Sequence, residues 1–211
     1  MAVTGFAKVT GAKDAGAPVW NDGELEMYAV EVSGNRAYTN GAGVVNTGTA
    51  TIDGSLIADN RLVHPFQSTF GAGIANSGEL EITDSVIRDN TGTGLFLESA
   101  RVTVDGSTIR GNLEGGIRSG TYRNWLTVRG SRILDNHATG DGGGIAYRNV
   151  PMSSLLIEDT VLAGKTATGR GGGLYLVDSE DAVSTLDGVV FRNDRAASGG
   201  GIFHELTHAC F

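Results

Sequence analysis

Residues 71–90 read Gly71-Ala72-Gly73-Ile74-Ala75-Asn76-Ser77-Gly78-Glu79-Leu80-Glu81-Ile82-Thr83-Asp84-Ser85-Val86-Ile87-Arg88-Asp89-Asn90, and most of the chain is a variation on that stretch. A glycine cluster opens it and an Ile-x-x-Asn element closes it. The closing element recurs at Val32 to Asn35, Ile57 to Asn60, Ile109 to Asn112 and Ile133 to Asn136, and continues with a changed last residue at Leu162 to Lys165 and Phe191 to Asp194. Its endpoints, at 35, 60, 90, 112, 136, 165 and 194, lie 22 to 30 residues apart. Self-similarity at that period is the mark of a solenoid.

Aligned on these anchors, the repeats form columns. Val19, Val44, Ile74, Leu95, Ile117, Ile145, Leu174 and Ile202 follow the glycines. Leu25, Ala50, Leu80, Val102, Leu126 and Leu155 form a second column, lapsing to Ser184. Two residues on run Met27, Ile52, Ile82, Val104, Val128, Ile157 and Leu186. Val32, Ile57, Ile87, Ile109, Ile133, Leu162 and Phe191 complete the set. Apolar residues alternating in short β-branched runs, broken by Gly, Asn and Asp, predict strands with one buried face. A helical repeat fails because the period is two and glycine interrupts every unit. Three short strands per coil, stacked about 4.8 Å apart, would bury the columns as one continuous core. The asparagines and the column Ser55, Ser85, Ser107, Ser131 and Thr160 are expected at the corners. Asparagine tolerates left-handed backbone there, and its amide can bond from coil to coil.

Gly143-Gly144-Ile145, Gly172-Gly173-Leu174 and Gly200-Gly201-Ile202, with the Ile-x-x-Asn elements, resemble the repeats of polymorphic outer-membrane proteins. The wider resemblance is to pectate-lyase-like right-handed β-helices. It covers nearly the whole chain and implies an all-β, single-stranded, right-handed parallel β-helix of about seven coils, a single domain over residues 1–211. It also implies a secreted or cell-surface setting, among adhesins, autotransporter passengers and polysaccharide-active enzymes. The catalytic elements of polygalacturonase-like members do not carry over. Asn46-Thr47-Gly48 and Arg132-Ile133-Leu134 each lack the charged member.

Composition narrows the task. The 211 residues include 33 Gly and 3 Pro without a collagen period, and 40% hydrophobic against 19% charged residues argues against disorder. A net charge of −8 argues against a nucleic-acid partner. No apolar run reaches the roughly 18 residues of a membrane span. The single Cys210 offers neither an internal disulfide nor a paired-cysteine metal site, and no cofactor is expected. Both ends, Val3 to Gly16 and Gly201 to Phe211, read as parts of coils without a cap helix. A segment of a longer protein, or end-to-end self-association, is therefore expected.

Beside the first aliphatic column runs an outward one: Trp20, Val45, Ala75, Phe96, Arg118, Ala146, Tyr175 and Phe203. Its aromatics and its arginine make Trp20, Phe96, Arg118, Tyr175 and Phe203 the candidate residues for binding a polysaccharide or a surface protein. The connection Arg61 to Phe70, with His64, Pro65 and Phe66, is placed to cover them. His204-Glu205-Leu206-Thr207-His208 matches the H-E-x-x-H zinc pattern. In a strand its histidines would stand about 13 Å apart, so no metal is expected there unless the segment is helical. His137, Asp141 and Arg170 are placed to line a cleft, and Glu180-Asp181 near Asp178 to attract calcium. Threonines 51, 103, 127 and 185 recur beside Trp125, Glu24 and Arg101 without the regularity of an ice-binding face. The expected function is a non-catalytic scaffold binding a glycan or protein partner on an exposed aromatic face. The alternative is a polysaccharide lyase or glycoside hydrolase on the same face. Its mark would be two carboxylates within about 10 Å, or a carboxylate–arginine pair above the aromatic column.

Overall fold

The computed structural model describes residues 2–4, 8–10, 16–38, 41–63, 71–179 and 182–207. Three parallel eight-stranded sheets form the walls of one solenoid. The first wall runs from Val19–Asn21 to Ile202–Thr207, the second from Ala2–Thr4 to Val183–Asp187, and the third from Lys8–Thr10 to Val190–Arg192. Within each wall every strand pairs with the strands one winding before and after it. The windings that start at Val19, Val44, Ile74, Leu95, Ile117, Ile145 and Leu174 each give a strand to all three walls. The repeat therefore closes into seven coils, as the spacing requires, with further strands at both ends.

The register is the one the columns predict. Ile74 pairs with Val44 and Leu95, Leu95 with Ile117, and Ile117 with Ile145. Ile74, Leu95, Ile117 and Ile145 are each fully buried inside the same wall. Ile57, Ile87, Ile109 and Ile133 stack likewise in the third wall, and Ile52, Ile82, Val104 and Val128 in the second. All belong to one continuous hydrophobic cluster. Each such side chain contributes roughly 1.5–3 kcal/mol of burial, most of it offset by backbone ordering.

Polar ladders hold the corners. Between the second and third walls, each serine hydroxyl donates to the carbonyl two residues before it. It accepts the N–H of the corner one coil below: Val30 N to Ser55 Oγ, Ser55 N to Ser85 Oγ and Ser85 N to Ser107 Oγ, all 3.0 Å. Ser131 and Thr160 extend the line. After the third wall, the Nδ2 groups of Asn35, Asn60, Asn90 and Asn112 each donate to the Oδ1 of the next asparagine at 2.9–3.1 Å. The same Oδ1 accepts the backbone N–H below it. The asparagines do not themselves take the left-handed turn, as the sequence reading supposed. That conformation falls on the residue before: Gly34, Asp59, Asp89, Gly111, Asp135, Gly164 and Asn193. The amides are thereby free to act as rungs. A second ladder, which the repeat alignment did not single out, joins Asn21 to Asn46 and Asn46 to Asn76 at 2.6 Å each, at the end of the first wall.

Candidate functional site

The outward column of the first wall is in register, from Trp20 beside Val45 to Tyr175 beside Phe203. It is not the exposed face that the sequence suggested. Trp20 is 64% exposed, but Phe96 and Tyr175 are only 7% and 5% exposed, and Arg118 and Phe203 are half-buried. Over the small members of the column the glycine clusters pack closely. The chain doubles back at positive φ over its own outward residue, so that a β-carbon on Gly41 would strike Val45 and one on Gly142 would strike Ala146. Only glycine packs so closely at that backbone angle. Residues 64–70 of the proposed covering connection lie outside the described residues.

Toward the C-terminal coils the column is capped by charge. Arg170 lies 4.9 Å above the centroids of both Tyr175 and Phe203, whose rings stack 5.8 Å apart. Its guanidinium reaches Asp141 Oδ2 at 3.1 Å, Glu205 Oε2 at 3.1 Å and the Tyr175 hydroxyl at 2.9 Å. Asp141 also accepts the Arg170 backbone N–H, and its carbonyl accepts from Arg118. Burial raises the Asp141 carboxyl, but the hydrogen bonds and charge of Arg170 outweigh this and hold it below the usual range. The Arg118 guanidinium is lowered too, chiefly by its burial. The carboxylate–arginine pair named as the mark of an enzyme is therefore present. As chemistry it is a locked ion pair: Asp141 stays ionised and Arg170 stays charged, so neither is poised to pass a proton near neutral pH. His137, placed in the same cleft by the sequence, instead bonds Thr166 Oγ1 at 2.6 Å.

The H-E-x-x-H segment is a strand, not a helix, through Thr207. His204 and Glu205 therefore face opposite ways: His204 Nε2 meets Asp178 Oδ2 at 2.9 Å, while Glu205 meets Arg170. His208 lies outside the described residues, as do Glu180 and Asp181. Among the described residues no three His, Cys, Asp or Glu side chains converge on a metal position. Ser184 donates to Asp178 Oδ1 at 2.8 Å and accepts from Asn149. The aspartate, not the histidine, sits beside the hydroxyl. The three groups therefore do not form the serine–histidine–aspartate order, in which the histidine stands between the hydroxyl and the carboxylate.

The open face is the second wall. Its strands are five residues long in each coil from Glu24–Tyr28 onward, and alternate side chains point out. Glu79, Arg101, Trp125 and Ser154 form one outward column, and Glu81, Thr103, Thr127 and Leu156 its neighbour. The Arg101 guanidinium lies 5.0 Å from the Trp125 ring centroid and 3.7 Å from Glu79. Tyr122, in the connection leading to Trp125, is 64% exposed. The signal for this surface in the sequence is the outward position of Trp125 beside the threonine column.

The family of right handed beta helix regions matches residues 15–194. The chain belongs to that family. No curated protein and no solved structure matches it. The right-handed β-helix assignment agrees with the three parallel walls, and a right-handed crossover is the rule for parallel strands. Family membership assigns no role to Arg170, His204 or Trp125, because one solenoid carries many functions. No helix among the described residues of this β-helix is long and apolar enough to cross a membrane.

Proposed function

We propose that this right-handed β-helix is a non-catalytic scaffold of a secreted or cell-surface protein and that its second wall binds a glycan. The observation that carries this reading is Arg101 over the Trp125 ring beside Glu79, on the outward face of a sheet bordered by Thr103 and Thr127. An aromatic face suits the C–H face of a sugar ring, and fixed charged and hydroxyl groups around it suit its hydroxyls. Binding of polyuronides and neutral glycans to the full chain tests it. Trp125→Ala and Arg101→Ala are expected to weaken binding about tenfold or more, a loss typical of an aromatic anchor. A glycan that binds equally well to both variants would remove the second wall from consideration.

The enzymatic alternative would have to draw on the Asp141–Arg170–Glu205 cluster over the aromatic column, against the locked pairing of Asp141 with Arg170. It predicts new chain ends from a polysaccharide, lost in Asp141→Asn or Glu205→Gln and retained in Trp125→Ala. The scaffold reading predicts no new ends from any of these proteins.

A further inference from the structure

The asparagine ladder ends on a different pair. The rung after Asn136 is Lys165 and the next is Asp194, one winding apart in the same column. Lys165 is 0% exposed and the Asp194 side chain 1%. The Lys165 N–H donates to Asp194 Oδ1 at 3.0 Å, repeating the backbone-to-Oδ1 contact of Asn60 with Asn90 and of Asn112 with Asn136. The Lys165 stem lies across Gly144, where a β-carbon would collide with Cδ and Cε, and its Nζ stands 3.4 Å from Asp194 Oδ1. Asp194 Oδ2 is buried with no hydrogen-bond partner.

As an ion pair this rung is poorly satisfied. A buried ammonium has three N–H groups to place, and the carboxylate keeps one oxygen bare, in a core where each desolvated charge is costly. Every earlier rung is a neutral carboxamide. We propose that Lys165 and Asp194 are joined by an isopeptide bond, formed by the folded chain itself, which puts a carboxamide back into the ladder. The neutral Nζ attacks Cγ of the protonated carboxyl. The Nζ–Cγ bond forms, the Cγ–Oδ2 bond breaks, and Oδ2 leaves as water with its own proton and one from Nζ. Nothing is oxidised or reduced and no co-reactant enters. Oδ1 remains as the amide oxygen, still accepting the Lys165 backbone N–H. The fold supplies what the reaction needs: the Lys165 Nζ is held 3.4 Å from Asp194 Oδ1, with both side chains buried away from water. Burial pushes the lysine down to about 8 and the aspartic acid up, so both shifts favour the neutral reacting forms. The product ties the last two complete coils together.

Mass spectrometry of the purified full chain under denaturing conditions decides the matter. The wild-type chain is expected to be lighter than its sequence mass by one water, and digestion should give one branched peptide carrying both Lys165 and Asp194. Asp194→Asn should react with loss of ammonia instead, and Lys165→Arg should hold its full sequence mass. A wild-type chain at full sequence mass, with Lys165 open to an amine reagent after unfolding, overturns the proposal whether or not the variants fold.

Discussion

At the scale of single residues, the asparagine ladder shows how one side chain serves two coils. Asn90 Oδ1 accepts both the N–H and the Nδ2 of Asn60, while its own Nδ2 donates to Asn112 Oδ1 and to the Ile57 carbonyl. Asn90→Ala removes all four bonds and leaves their partners buried. Each orphaned group costs roughly 1–3 kcal/mol, and part is recovered by relaxation, so a loss of about 3–5 kcal/mol is expected. Urea unfolding measures it, with Arg110→Ala on the exposed side of the third wall as a control expected within about 0.5 kcal/mol. The ladder was legible in the sequence because asparagine recurs at the coil spacing. The division of labour beside it was not. Left-handed backbone belongs to the preceding Asp or Gly, and only the dihedral angles separate the two positions. The shorter ladder of Asn21, Asn46 and Asn76 had a fainter signal, an Asn-x-Gly repeated three times and then abandoned. Lys165 and Asp194 read as lapses in the repeat. Their pairing became visible only once the winding put one above the other.

At the scale of elements, the three walls differ in what shields them, and this decides where a ligand can reach. The inward columns were fully readable, since period-two aliphatic patterning leaves one way to bury them. The place of the first wall's outward column is legible in the sequence and its exposure is not, because residue type does not report that a glycine turn packs on Val45 and Ala146 or that Arg170 lies over Tyr175 and Phe203. The Arg170 clamp belongs to this scale, holding the connection around Asp141 against the strand that carries Tyr175. The folded Asp141 carboxyl lies below its ordinary 3.8. Its contribution is therefore present above that value and is lost as the pH falls through the lower folded value. Asp141→Asn should melt about 2–4 °C below wild type at neutral pH, the modest size reflecting a partly solvated pair. The gap should close on the acid side of 3.8, which paired thermal melts across pH would read. A gap that persists in strong acid would mean that Asp141 acts by shape and not by charge.

At the scale of the whole molecule, stability rests on contacts between adjacent windings. All three main sheets pair each strand only with its neighbours along the axis. Such a chain behaves as a row of units with intrinsic and nearest-neighbour energies. One unit can then be removed if the cut respects the period. Deleting residues 91–112 joins Asn90 directly to Leu113, the residue that follows Asn112 in the parent. Every inward column keeps its phase, Ile87 comes to lie beneath Ile133, and Asn90 beneath Asn136. The shortened protein is expected to fold with its β-sheet circular dichroism intact. Its urea m-value should fall by about a tenth, because m follows the surface exposed on unfolding. Deleting residues 91–101 removes half a winding instead. The second-wall strand that begins at Val102 would then have to stand where a first-wall strand belongs, and that chain should fail to fold. If both deletions behave alike, by solubility and by cooperative unfolding, stacking in register is not what holds the solenoid together.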